Sequence, residues 1–178
     1  MFRRGLNLNK LFRIKFKSPD DAWCVITALR GPDFTPSTEL KYLFTVFIRR
    51  VVLKNYETPP EIPTRDKVDL VLREVEYVAK SERANFSHWA FHISEALAVI
   101  GRSTDGVVSE LAKLLRKLID KLDNYAYNVF RGVKETPLLR KEIDEIASKI
   151  CRLYGVEYGD NYLEAMRKVD YGKIFEGK

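Results

Sequence analysis

The chain has 178 residues, of which 46% are hydrophobic and 31% charged. That balance suits one ordered domain with its own core and excludes an intrinsically disordered chain. No apolar run approaches the roughly 20 residues of a membrane span. The basic N-terminus also lacks the uninterrupted apolar core of a secretory signal. The expected location is therefore the cytoplasm, or a virion or nucleoprotein particle.

Glutamine is absent, Cys and Met number two each, and Lys, Arg and Glu are abundant. This is the compositional bias of hyperthermophile proteins. It points to a thermophilic source, an archaeon or one of its mobile elements. The net charge of +6 is unevenly placed. Residues 1–17 carry Arg3, Arg4, Lys10, Arg13, Lys15 and Lys17 and no acid, so the other 25 basic residues balance the 25 acidic ones. A neutral body with a cationic arm is the clearest partner signal in the chain.

Residues 1–10 read as irregular. Leu11 to Lys17 then alternates, with Phe12, Ile14 and Phe16 on one side and Arg13, Lys15 and Lys17 on the other. Such a period of two predicts a strand with one apolar and one cationic face. A lone strand is unstable, so it must pair with another segment or subunit, or lie on the helices. Ser18-Pro19-Asp20-Asp21 is a helix start, with a capping serine, proline at the first position and acids at the positive end of the helix dipole. Ala22, Trp23, Ile26 and Leu29 form its expected inner face, and Gly31-Pro32 stops it. A second helix starts at Thr35-Pro36 or Ser37 and carries Leu40, Leu43, Phe44, Phe47, Ile48 and Val51.

The stretch 55–63 contains three prolines, Pro59, Pro60 and Pro63, and reads as a stiff extended connection. Thr64 caps a helix carrying Val68, Val71, Leu72, Val75, Val78 and Ala79. The polar hinge 81–85 leads into a helix holding both histidines, with Ser87 as its cap, Phe86 and Phe91 as a hydrophobic staple and Gly101 as its end. Thr104 or Asp105 starts the longest helix. Val108, Leu111, Leu115, Leu118, Leu122, Tyr125 and Val129 follow 3-4 spacing along it, a seam wide enough for bundle packing. Thr136-Pro137 repeats the cap-then-proline start for a helix ending at Gly155, and Asp160 or Asn161 caps a short last one. The tail 171–178 reads as frayed or partner-bound. The expected architecture is an all-α bundle of five longer helices plus a short C-terminal helix, with a basic β-like arm. Residues 18–170 form its single domain.

Chemistry is sparse. His88 and His92 stand one helical turn apart with Glu95 three residues on, so the three share a face and can be weighed as ligands of a divalent metal. Such a site needs further ligands from facing helices; Glu74 and Glu39 are the acids to consider. As ordinary core-edge residues, the histidines would instead meet carbonyls, carboxylates or ring edges. Cys24 and Cys151 sit on apolar faces of separate helices, as buried thiols or as a disulfide, which hyperthermophile proteins do form inside cells. No phosphate-binding glycine loop and no nucleophile-base arrangement is present.

Nucleic acid is the best-supported partner. The arm cations Arg3, Arg4, Lys10, Arg13, Lys15 and Lys17 would engage phosphates, Phe12 and Phe16 would stack on bases, and Arg49 and Arg50 would extend the basic track. Lys113, Arg116, Lys117 and Lys121 on the long helix would continue it, although interleaved acids also fit a merely solvated face. The leading expectation is a non-enzymatic nucleic-acid-associated subunit, accessory or coat-like, that self-associates. The alternatives are an assembly module binding protein through its arm and helix seam, and a metal-binding bundle.

Overall fold

The computed structural model describes residues 14–30, 38–54, 61–133 and 136–176, and every regular element among them is helical. Eight helices follow in order: α1 (Pro19–Leu29), α2 (Thr38–Leu53), α3 (Arg65–Ser81), α4 (Arg83–Ser103), α5 (Val107–Phe130), α6 (Pro137–Tyr154), α7 (Tyr162–Lys168) and α8 (Tyr171–Phe175). Six of these have 11 to 24 residues, one more than the five longer helices expected from the sequence.

Apart from α1, the longer helices pack through the faces that sequence periodicity marks. On α5, Leu111, Leu115, Leu118, Leu122 and Tyr125 are buried against α4 on one side and against α3 and α6 on the others. Leu111 to Tyr125 of the apolar seam are thus covered by the chain's own helices, while Val108 and Val129 at its two ends are partly buried. On α4, Phe86, Trp89, Ile93, Ala96, Leu97 and Ile100 are buried, with α1, α2, α3 and α5 packed around it. A polar row stitches α4 to α5. Ser87 Oγ donates to Asp123 at 2.9 Å, Arg116 Nε to Ser94 Oγ at 3.1 Å, Ser94 Oγ to Asp120 at 3.1 Å, and Ser109 Oγ to the Gly101 carbonyl at 2.7 Å.

Several starts follow the predicted capping. Ser18 accepts from the Asp21 N–H, Thr136 from that of Leu139 and Asn161 from that of Glu164. Gly155 ends α6 in the left-handed region at φ 80°, which glycine adopts without strain. The start of α2 is capped from a distance: the Glu74 carboxylate accepts from the backbone N–H groups of Glu39 and Leu40, at 3.2 and 2.7 Å. An acid on a neighbouring helix does there what a local Ser or Asp does elsewhere.

Several expectations are corrected. Helix α4 begins at Arg83, separated from α3 only by the break at Glu82, so Ser87 is an interior residue and no staple forms. Phe86 is fully buried whereas Phe91 is exposed. The helix also continues past Gly101 to Ser103, and α5 starts after Gly106 rather than after Thr104 or Asp105. On α1 the buried residues are Ala22, Val25 and Ala28, while Trp23 is 43% exposed beneath the Arg30 guanidinium. The tail is not frayed through residue 176. Phe175 of α8 is buried, its ring 6.0 Å from that of Phe47, because two aromatic residues one turn apart, Tyr171 and Phe175, give this short segment an apolar face.

Candidate nucleic-acid interface

Positions 14–17 are the described end of the arm; Arg3, Arg4, Lys10, Phe12 and Arg13 lie outside the described residues. No strand is present at 14–17, but the alternation is realised. Ile14 is buried and Phe16 packs against the core, while Lys15 and Lys17 are exposed. Ile14 lines a cavity with Val51 of α2, Thr104 and Asp105 of the α4–α5 turn, Val108 of α5, and Ile174 and Phe175 of α8. The apolar residues thus anchor the segment on the helices, and the lysines leave it on the solvent side.

The expected extension of the basic track splits. Arg49 is partly exposed on α2. Arg50 faces inward at 4% exposure, so it is removed from the phosphate-contacting set. Its Nε donates to Glu61 Oε2 at 2.9 Å and its guanidinium lies over the Tyr171 ring, 4.7 Å from the centroid. Adjacent Arg49 and Arg50 differ because 100° of helical rotation separates an outer position from a core one. On α5, Arg116 bonds Ser94 and Lys121 pairs with Glu142 of α6 at 2.9 Å. Two of the four cations expected on that helix therefore serve helix packing.

Sequence reading missed what Arg50 belongs to. Glu61, 3% exposed, also accepts from Tyr154 Oη at 3.2 Å, and the Tyr154 and Tyr171 rings are 5.9 Å apart. Burial pushes the Glu61 carboxyl upward, against the pull of Arg50. Burial also pushes the Tyr154 phenol well above its ordinary value, reinforced by the charge of Glu61. Beside this cluster lies a cavity of about 230 Å³ lined by Glu39, Tyr42, Glu61, Lys67 and Tyr162 among others. Lys67 Nζ bonds Glu39 Oε2 at 2.7 Å and sits 4.1 Å from the Tyr162 ring centroid. The signal in sequence was weak: a glutamate after two prolines reads as loop, and only its partner shows it to be core.

His88 and His92 do share a face, their Nε2 atoms 3.0 Å apart, so one nitrogen donates to the other. Two nitrogens at that spacing can both reach one ion at ~2.0–2.1 Å. Glu95 does not join them. It lies near Cys24 of α1, whose thiol is raised by burial first and by Glu95 second. Glu39 and Glu74 serve Lys67 and the start of α2. Among the described residues no three His, Cys, Asp or Glu side chains are placed to hold a metal ion, so the donor set stops short of a closed zinc site. Cys24 and Cys151 are unpaired thiols. Cys151 is buried, its Sγ donating to the Pro63 carbonyl at 3.5 Å, and burial pushes it up to about 12.

No helix among the described residues is long and apolar enough to cross a membrane. No family model matches the chain, and neither a curated protein nor a solved structure is similar enough to count as a match.

Proposed function

We propose that this chain is a non-enzymatic, nucleic-acid-associated helical protein, an accessory or coat-like subunit that grips phosphate backbones with its N-terminal arm. The observation that carries this reading is charge placement. The whole excess of +6 sits on residues 1–17, while the remaining cations and acids are equal in number. The docking of positions 14–17 supports it, because buried Ile14 fixes the arm's root and leaves Lys15 and Lys17 toward solvent. Cations carried this way engage phosphates by releasing counterions and read little sequence.

The test keeps the apolar anchors and removes only the charge. Glutamine replaces Arg3, Arg4, Lys10, Arg13, Lys15 and Lys17 together, leaving Ile14 and Phe16 in place. Affinity for a labelled oligonucleotide at low salt falls by at least tenfold in this neutral-arm variant while its melting temperature stays close to that of the parent. Equal affinity of the two proteins overturns the reading.

A further inference from the structure

The corner where α3 breaks into α4 meets the C-terminal turn of α5, and this corner carries an arrangement the arm does not explain. Tyr127 and Phe130 stand three residues apart on α5, off its buried seam, and are 42% and 58% exposed. Arg83, at the first position of α4, lies over both rings, 4.9 Å from the Tyr127 centroid and 5.3 Å from that of Phe130. Arg131 lies over Tyr127 as well, at 5.4 Å. Next to them is an open cavity of about 350 Å³, lined by Lys80, Ser81, Glu82, Arg83, Asn85 and Phe130 among others. Arg83 Nε is shielded from solvent and has no hydrogen-bond partner among the described residues.

Each part has a plain energetic meaning. A guanidinium over an exposed ring contributes ~0.5–1 kcal/mol per cation–π contact and holds the ring in place. Three cations, Lys80, Arg83 and Arg131, surround the rings, against Glu82 in the cavity and Asp123, close enough for the Arg83 charge to act on its carboxyl. A purely apolar protein partner would desolvate those cations without compensation. An anionic chain carrying flat rings satisfies both halves at once.

We propose that Tyr127 and Phe130, with Arg83, Arg131 and Lys80 around them, form a base-stacking platform for single-stranded nucleic acid. This rests on the nucleic-acid reading above and adds the substrate class to it. A base stacks on the exposed Phe130 or Tyr127 ring, and the adjoining phosphates meet Lys80 and the guanidinium edges. Duplex bases are already stacked on their neighbours and present no face to the platform, so the preference is for single strands. The arm supplies affinity for either form; the platform supplies the difference between them.

The test measures fluorescence anisotropy of a labelled oligothymidine and of a duplex of equal length. Each is titrated with the parent chain, Phe130→Ala, Phe130→Leu, Tyr127→Ala and the neutral-arm variant. Phe130→Ala and Tyr127→Ala each weaken single-strand binding about fivefold to a hundredfold and leave duplex binding and the salt dependence unchanged. Phe130→Leu, apolar but without a π face, behaves as Phe130→Ala. The neutral-arm variant weakens both substrates alike. If the neutral-arm variant weakens both and the ring variants weaken neither, the platform is wrong and the arm reading stands. If the ring variants weaken both substrates equally, the platform does not select single strands and the proposal is likewise overturned. If no variant changes binding, both readings fail.

Discussion

Arg50 and Arg83 each hold a guanidinium over an aromatic ring, 4.7 Å from the Tyr171 centroid and 4.9 Å from that of Tyr127. Their surroundings make them opposites. Arg50 is enclosed with Glu61 and Tyr154, so its charge is neutralised where it stands. Arg83 sits at the rim of an open cavity between two exposed rings. The same pairing that closes a core at one end of the molecule leaves a cationic, aromatic surface at the other. What separates the two is that a fully buried carboxylate is hydrogen-bonded to the Arg50 guanidinium.

The comparison breaks most visibly at Glu61. Glu61→Leu leaves the Arg50 charge buried without its acid and costs about 3–5 kcal/mol. Replacing both, as Arg50→Met with Glu61→Leu, costs clearly less, because no charge remains to be solvated. Denaturant unfolding of the two variants measures the difference. Equal losses would show that the pair contributes shape rather than compensated charge.

The same enclosed end also sets an alkaline limit. Burial raises the phenols of Tyr154, Tyr158 and Tyr171 above the ordinary value of 10.0 and pushes Tyr162 up to about 12. A phenol whose folded value exceeds its unfolded one holds its full stabilisation below pH 10, and this is lost as pH rises through the folded value. Melting temperature is therefore flat up to about pH 10 and falls between pH 10 and 12. In Tyr162→Phe the fall is shallower, since one of the shifted groups is gone.

Smaller effects belong to the open end. Arg83→Ala removes two ring contacts and costs about 1 kcal/mol. Phe130→Ala removes one of those contacts and costs about 0.5–1 kcal/mol, small as befits an exposed ring. A loss at Phe130 as large as that at Glu61 would mean that the platform is core, and the contrast between the two ends would collapse. Thiol labelling gives a finer check: partly exposed Cys24 reacts in the native protein, whereas Cys151 reacts only on unfolding.

Much of this fold was legible in the sequence. The 3-4 spacing on α5, the Ser18-Pro19 and Thr136-Pro137 starts and the Gly155 stop are local signals, and each is realised. What failed depended on contacts distant in sequence. Capping of α2 by Glu74 comes from another helix, and Arg50 points inward toward a glutamate eleven residues away across a proline-rich stretch. At α4, Ser87 had the chemistry of a cap, but the helix had already started at Arg83 and the hydroxyl went to Asp123 instead. The candidate site divided the same way. Alternation correctly placed Ile14 and Phe16 inward and Lys15 and Lys17 outward. The Arg83–Tyr127–Phe130 cluster joins residues more than forty positions apart, and its only local sign was an aromatic pair lying off the seam.

The arm's role is tested most directly by salt. Binding of the parent chain and of the neutral-arm variant to one labelled duplex is followed over a series of salt concentrations. Six engaged cations give the parent a slope of about −5 in log affinity against log salt. The neutral-arm variant gives a slope near zero together with its lower affinity. Parallel slopes in the two proteins would contradict the claim that residues 1–17 hold the phosphate backbone.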